Sequence, residues 1–357
     1  MMNYSEFNQL ILLIGANPLP NFVVADYFLQ LNPNIQTIWL LHSEANALQA
    51  GTDKQARNLE TLLRKLWEGK HQSLRFPLEK VSFSDVSDAA AIRAEIERRM
   101  PLKKWEKENF RSFHLDYTGG TKAMSSHVYM RLQELQKSGQ PNFSYLDANN
   151  FRLVGDDYGI ISEDLRQSVW IEFDELIALH GFVRKKQDSA VNFSEAEQTQ
   201  LFNRFIAAGK KDNLKDGRWL EVYLAKKIRA RFEDKLNDKK GLVQNWEIKK
   251  PDWVTHFELD IILLHGYQLT GISCYIGAKK EEAKRKGFEI IYRCKQIGGD
   301  EAKAILVAGL ERQHAGLLQE DLAYETGGNR QNILVLGLED LRHENLYLQK
   351  IEEFVFG

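Results

Sequence analysis

Residues 113–124 read FHLDYTGGTKAM. An apolar stretch ending in Asp116, Phe113–Asp116, reads as a buried strand. It runs into a loop of small residues, Thr118-Gly119-Gly120-Thr121, and then into a helix expected over Thr121–Gln136. Strand, small-residue loop and helix is the unit from which parallel sheets are assembled. Glycines let backbone N–H groups come close to a ligand, and a helix N-terminus adds partial positive charge. The loop is therefore a candidate anion site, with hydroxyls on Thr118 and Thr121 and a cation on Lys122. It carries neither the G-x-x-x-x-G-K spacing of a P-loop nor the G-x-G-x-x-G of a dinucleotide fold.

Outward from this stretch, strands and helices alternate. Leu10–Ile14 reads as a strand and Asn21–Leu31 as a helix. Ile35–Leu41 is the next strand, Thr52–Trp67 a helix, and Phe143–Asp147 a further strand. Phe151–Val154 and Gly159–Ile161 read as a hairpin. This order predicts a mostly parallel, doubly wound sheet, with ligands at the carboxyl ends of its strands. Three strand exits would meet there: the loop above, Gly15-Ala16-Asn17-Pro18-Leu19-Pro20 and His42-Ser43-Glu44. Prolines stiffen the second of these, and Asn17 offers hydrogen bonds to a base or ribose. His42 and His114 flank the expected pocket, as contacts or as filling.

The second half reads differently. A short amphipathic helix, Glu172–Phe182, is expected near the boundary, and the second half starts with helices at Ala196–Ala208 and Gly217–Lys235. Strands follow at Val243–Ile248, Phe257–Leu264 and Gln268–Cys274, then a long helix, Lys280–Ile297, and strands Ala304–Val307 and Ile333–Leu336. The expected division is a first domain over 1–178, a polar linker over 179–196 and a second domain over 197–357.

Composition sets outer bounds. The chain has 357 residues, 43% hydrophobic and 27% charged, with 48 Lys+Arg against 50 Asp+Glu and net charge −2. That excludes a disordered chain and leaves room for two cores. No apolar run reaches the ~18 residues needed to span a bilayer, and residues 1–15 lack the features of a signal peptide. Two cysteines, Cys274 and Cys294, support neither a disulfide framework nor a zinc cluster, so a cytoplasmic protein is expected. The net charge conceals an asymmetry. Residues 207–250 hold 13 basic and 7 acidic side chains, and residues 279–295 hold 7 and 3. Two basic stretches in the second half suit a phosphate-bearing partner.

The pair GANPLP (15–20) and DYTGGTKAM (116–124) resembles the CARF domain, the CRISPR-associated Rossmann fold. The resemblance covers residues 8–178, with SYLDA (144–148) and the EFDELIALHGF tail (172–182). It implies a homodimer that binds a cyclic oligoadenylate across its axis, cyclic tetra-adenylate or cyclic hexa-adenylate. The site would be lined by Asn17, Pro18, Ser43, Thr118, Gly119, Gly120, Thr121, Lys122 and Met124.

The second half resembles the PD-(D/E)xK nucleases joined to CARF domains in the CRISPR ancillary nuclease family. DGRWLEVYL (216–224), ELDI (258–261) and KQIGGDEAKAILVAG (295–309) carry that resemblance. The implied fold is a Rossmann-like α/β domain followed by a restriction-endonuclease-like α/β domain. The implied activity is a cyclic oligoadenylate-activated, metal-dependent nuclease of type III CRISPR antiviral defence. It would cleave single-stranded DNA or RNA, with Mn or Mg held by Glu221 and Asp260. A hard cation held by carboxylates polarises the phosphate and acidifies bound water. A lysine stabilises the charge that develops.

The sequence departs from that pattern at one place. Where the family has Glu-x-Lys, this chain has Ser273-Cys274-Tyr275. Glu282, Lys286, Glu289, Arg293 and Gln296 share one face of the following helix, so Glu289 and Lys286 are the candidate replacements. Lys279 or Lys280 stands in if the strand register is shifted. The alternative is a cyclic oligoadenylate-sensing dimer whose second domain is catalytically impaired and binds nucleic acid or a partner.

Overall fold

A computed structural model describes residues 7–47, 50–70, 81–107, 113–135, 143–156, 159–185, 193–208, 217–237, 240–252, 256–327 and 330–357. The chain divides into two compact units. One comprises 1–169 with 178–181, the other 170–177 with 182–357.

The first unit holds a seven-stranded sheet, ordered β3-β2-β1-β4-β5-β6-β7. Its strands are β1 (Gln9–Leu13), β2 (Thr37–Ser43), β3 (Val81–Phe83), β4 (Phe113–Asp116), β5 (Phe143–Asp147), β6 (Arg152–Gly155) and β7 (Gly159–Ile160). The five strands β1 to β5 are parallel, and β6 and β7 return antiparallel. The expected doubly wound sheet is therefore present. The helices are α1 (Leu19–Leu31), α2 (Asp53–Trp67), α3 (Ala89–Arg99), α4 (Leu102–Lys107) and α5 (Lys122–Gln133), and α6 (Phe173–Leu179) is divided between the two units. Both faces of the central strands are covered, which is why Leu10 to Leu13 and all of β4 are buried. Helix α1 is buried around most of its circumference, from Leu19 to Ala25 and again at Phe28 and Leu29.

The chain runs β1 to β2 to β3 in one direction and then crosses back to β4, which lies on the other side of β1. This reversal is a topological switch point, where doubly wound sheets open a crevice at the strand carboxyl ends. The loops that leave β1 and β4 are two of the three strand exits that the sequence singled out. Sequence reading missed β3, α3 and α4. Val81–Phe83 is too short to show an alternation, and Ala89–Arg99 owes its start to an Asp88 cap on Ala90 and Ala91.

The second unit holds a six-stranded sheet, ordered β13-β12-β11-β10-β9-β8. Its strands are β8 (Val183–Arg184), β9 (Leu242–Lys249), β10 (His256–His265), β11 (Gln268–Tyr275), β12 (Lys303–Ala308) and β13 (Ile333–Leu336). Strands β9, β10 and β11 form an antiparallel meander, and β11, β12 and β13 are parallel. The helices are α7 (Glu195–Ala208), α8 (Arg218–Phe232), α9 (Lys280–Gly298), α10 (Arg312–Glu325), α11 (Leu338–Leu341) and α12 (Glu344–Phe356). Trp219, Leu220, Tyr223 and Leu224 of α8 share one core with Ile261, Ile272, Tyr347 and Ile351. Part of the stretch read as linker is ordered here: Val183 and Arg184 pair with Lys249 and Ile248 as the sheet's edge strand. Helices α10 and α12 were not expected from the sequence, because their apolar positions are interrupted by charge.

Candidate functional sites

The loop after β4 is held by its own small residues. A Cβ on Gly119 would lie 1.9 Å from the Leu13 carbonyl oxygen, so only glycine lets this loop pass so close to the end of β1. Gly120 has φ +79°, a left-handed conformation that glycine alone adopts without strain. Thr121 caps α5, accepting the Met124 N–H on Oγ1 at 3.2 Å. The Ser125 hydroxyl donates to the Gly119 carbonyl at 3.0 Å. Among the described residues, no hydrogen bond uses the N–H groups of Gly119, Gly120, Thr121 or Lys122. Four successive donors at a helix N-terminus form an anion cradle. Lys122 is exposed beside it, and Met124 is buried below.

The other two strand exits are braced rather than open. Asn17 accepts the Leu19 N–H at 3.1 Å and lies 3.2 Å from His180 Nε2, so its Oδ1 starts α1. Pro18 is buried at the cap of that helix. Ser43 is clasped to Thr52: its N–H donates to Thr52 Oγ1 at 3.0 Å, and the two hydroxyls lie 3.2 Å apart. The Thr52 hydroxyl in turn reaches the Ile14 carbonyl at 3.0 Å, tying the exits of β1 and β2 together. The Thr118 hydroxyl accepts the Leu146 N–H at 2.7 Å. The hydroxyls expected to face a ligand thus also hold the loops in shape.

Three polar groups lie wholly inside the sheet beneath the loop. Asp116, at 0% exposure, accepts the Thr118 N–H at 3.1 Å and the Ser144 hydroxyl at 3.0 Å. Ser144 Oγ lies 2.8 Å from His114 Nε2. Burial drives the Asp116 carboxyl up to about 6 against the pull of the Thr118 and Ser144 contacts. Burial also drives His114 down to about 3, so its ring is neutral. His114 stacks on Phe7, with centroids 5.0 Å apart, and packs on Phe28. Neither His114 nor His42 is exposed, so of the two expected roles, contact or filling, the structure gives filling. Asn21 is a residue that sequence reading missed. It is fully buried, its amide nitrogen donates to the Leu13 carbonyl at 3.0 Å, and its Oδ1 has no partner among the described residues. That oxygen lies 3.1 Å from where a Gly119 Cβ would sit.

In the second unit, Asp260 sits on β10 opposite β11. Its Oδ2 accepts the Cys274 N–H at 2.7 Å and the Ser273 hydroxyl at 3.2 Å. Burial raises its carboxyl, opposed by the Cys274 N–H, the Lys286 charge and Ser273, and assisted by Glu289. Lys286 and Glu289 of α9 therefore bear on Asp260, and they pair with each other at 3.5 Å. Further along the same face, Arg293 stacks 4.5 Å from the Phe257 ring centroid. Tyr275 donates to Glu282 at 2.6 Å, and burial with that contact pushes its phenol up to about 12. Lys279 pairs with the same Glu282 at 3.0 Å.

Glu221 stands on the first turn of α8. Asn245 of β9, with φ +51°, is the residue that joins it to Asp260. With its amide nitrogen assigned to the side facing only acceptors, Asn245 donates to Glu221 Oε2 at 3.1 Å and to the Asp260 carbonyl at 3.1 Å. A left-handed Asn in mid-strand is locally unfavourable and marks a place where geometry is imposed. Cys274 packs against the α8 core, and its thiol is raised by burial and by the charges of Asp260 and Glu221.

Carboxylate oxygens are the donor type that a hard divalent cation takes. Among the described residues, no group of three His, Cys, Asp or Glu converges to hold a metal. Mg²⁺ is commonly held through one or two carboxylates, the rest of its shell being water and substrate phosphate. Glu221 and Asp260 are carboxylates of that kind. No third carboxylate follows on β11, where Ser273 instead donates to Asp260.

The fold defines a class: a Rossmann-like α/β unit followed by a second, mixed α/β unit. No protein-family model matches the sequence, and no curated protein matches it. Among solved structures, the chain is similar to Can2 from Sulfobacillus thermosulfidooxidans in complex with cyclic tetra-adenylate. Identity is 16%, TM-score 0.60, and coverage 97% of this chain and 98% of that one. It is similar to protein VC1899 from Vibrio cholerae at 14% identity and TM-score 0.65, with the same coverage of 97% and 98%. A type III CRISPR defence DNA nuclease activated by cyclic oligoadenylate matches at 16% identity and TM-score 0.53, over 85% of this chain and 45% of that one. These likenesses establish the shared fold over nearly the whole chain. No helix among the described residues is long and apolar enough to cross a membrane.

Proposed function

We propose that this chain is a cyclic oligoadenylate-activated, metal-dependent nuclease of antiviral defence, working as a homodimer. The observation that carries the reading is the end-to-end match to the Can2 structure, which holds cyclic tetra-adenylate. The unspent N–H donors of Gly119–Lys122 support the ligand half of it. They suit a ring phosphate, with Lys122 adding charge, while Asn17, Pro18, Ser43 and Met124 shape the surroundings.

The chemical half rests on Glu221 and Asp260 as the carboxylates that would hold Mn²⁺ or Mg²⁺. That cation, when bound, lowers the pKa of a water and neutralises phosphate charge. Asp260 is oriented by the Cys274 N–H and Ser273, and Glu221 by Asn245. Lys286 supplies the positive charge facing the phosphate that a Glu-x-Lys lysine would supply, and Glu289 orients Lys286 or a water. Single-stranded DNA or RNA is the proposed substrate.

The test is a cleavage assay of the purified chain. Cyclic tetra-adenylate or cyclic hexa-adenylate, with Mn²⁺ or Mg²⁺, should produce cutting of single-stranded nucleic acid that Glu221→Ala and Asp260→Ala abolish. One observation favours a second reading, a sensing dimer with an impaired second domain. On β11 the Asp260 carboxylate meets hydrogen-bond donors instead of a third metal-binding carboxylate. Ring binding without cutting, under either metal, would establish that reading.

A further inference from the structure

The buried set beneath the ligand loop is costly by its nature. A carboxylate, a hydroxyl and an imidazole at 0%, 0% and 1% exposure occupy positions that apolar side chains would fill. They form a directed chain. Ser144 donates to Asp116 Oδ2, which leaves its oxygen to accept from the Nε2–H tautomer of His114 at 2.8 Å, and Asp116 Oδ1 receives the N–H of Thr118, the first residue of the loop. His114 Nδ1 is buried and has no partner among the described residues.

A second protonation state would keep the same contacts. A proton from solvent bonds to His114 Nδ1, the Nε2–H proton passes to Ser144 Oγ, and the Ser144 proton passes to Asp116 Oδ2. Asp116 is then neutral and donates to Ser144, which donates to His114 Nε2. Asp116 Oδ1 still accepts from Thr118. One proton is gained, the two hydrogen bonds of Ser144 survive with their direction reversed, and the Thr118 bond is unchanged. The unpartnered Nδ1 is the atom at which that proton is taken up.

An anion on the loop would favour the second state. A carboxylate bonded to the loop's first residue lies close to any phosphate held by the next four N–H groups, and like charges in a desolvated place repel. Resting on the ligand reading above, we propose that docking of an anionic ring on the Thr118–Lys122 loop is coupled to uptake of one proton by the Asp116–Ser144–His114 chain. The chain is placed for it: Asp116 titrates from about 6, within reach of neutral pH, whereas His114 stays neutral in both states. Other charged groups on the packed elements are engaged elsewhere or exposed. Asp26 of α1 bonds Trp67 and Gln30, Asp147 of β5 bonds Asn150, Arg131 of α5 pairs with Glu97, and Lys122 is exposed. After β7, Arg166 is closed on Asp164. A phosphodiester ring has no group of its own that titrates near neutral pH, so the proton count reads the protein.

Calorimetric titration of the full chain with cyclic tetra-adenylate, at about pH 7 in buffers of differing ionisation enthalpy, counts the protons. Uptake of roughly half a proton or more per site is expected, with affinity tightening several-fold from about pH 8 to about pH 6. Asp116→Asn keeps an acceptor for Thr118 N–H and should bind without uptake. Nitrogen NMR of His114 should move from the Nε2–H to the Nδ1–H tautomer on binding, which a merely structural role would not produce. Equal heats in all buffers for the unmodified chain overturn the proposal, as does uptake that persists in Asp116→Asn. A ring that does not bind at all overturns the ligand reading, and this coupling with it.

Discussion

In the first unit the groups turned toward a ligand are backbone N–H groups, those of Gly119 to Lys122, and the side chains around them are spent on holding the loops. In the second unit the proposed working groups are side chains: Asp260, Glu221, Lys286 and Glu289. A backbone cradle needs small residues in sequence, so it is written locally. A side-chain site is assembled from α8, β9, β10, β11 and α9, and its members come together only when the sheet register is set. The first region should therefore be sensitive to added bulk and tolerant of lost functional groups, and the second the reverse.

The largest effect should fall on the second region. Asp260→Ala or Glu221→Ala should lower cleavage by about a thousand-fold or more, since each removes a charge that would hold the metal. Ring affinity, measured by calorimetry, should stay within about two-fold, because the ligand contacts lie in the other unit. Loss of ring binding in these variants would break the separation.

Next comes bulk in the first region. Gly119→Ala places a methyl 1.9 Å from the Leu13 carbonyl oxygen. The loop must shift, at about 2–4 kcal/mol in thermal or denaturant unfolding. Ring affinity should fall with it, while Thr121→Ala, which removes a cap, should cost only about 1 kcal/mol.

A smaller effect tests the buried chain. Asp116 has its carboxyl raised above the ordinary carboxylate range. Its favourable contribution is therefore present below about pH 4 and lost as pH rises through about 6. Asp116→Asn should be stabilised relative to the parent by about 2–3 kcal/mol at pH 8, with the difference vanishing toward pH 4. His114 runs the other way. It is lowered to about 3, so its contribution is present above about pH 6.5 and is lost as pH falls toward 3. Unfolding midpoints across pH measure both.

The smallest effect separates chemistry from stability within the second region. Lys286 and Glu289 are half-exposed, and such a pair is worth about 0.5 kcal/mol or less to folding. Lys286→Ala should lower cleavage by about ten- to a hundred-fold while leaving the unfolding midpoint unchanged. An unaltered rate would assign Lys286 to the surface and return the search to Lys279 or Lys280.

The same contrast explains what could be read before folding. The β4 loop was legible because turn chemistry is local: two glycines, a threonine cap and a strand before them. The switch point followed from the order of strands. Asp116 was visible beside the loop, but its bond to Ser144 spans 28 residues and waits on the β4–β5 register. Asn21 reads as an ordinary helix residue until α1 is packed. In the second unit, Glu221 and Asp260 were legible from a resemblance, and Lys286 and Glu289 from helical spacing. Asn245 left no signal, because its left-handed conformation is imposed by the sheet. The departure at Ser273-Cys274-Tyr275 was plain in the sequence, yet its consequence was not: both Ser273 and the Cys274 backbone donate to Asp260.

The central claim is that an adenylate ring on the first unit governs phosphodiester chemistry in the second. The most direct measurement is the initial rate of single-strand cleavage against cyclic tetra-adenylate concentration, at fixed Mn²⁺ or Mg²⁺. The rate should be near zero without the ring and rise to a plateau with an apparent constant equal to the calorimetric affinity. A rate independent of the ring, or no cleavage at any concentration, would contradict it.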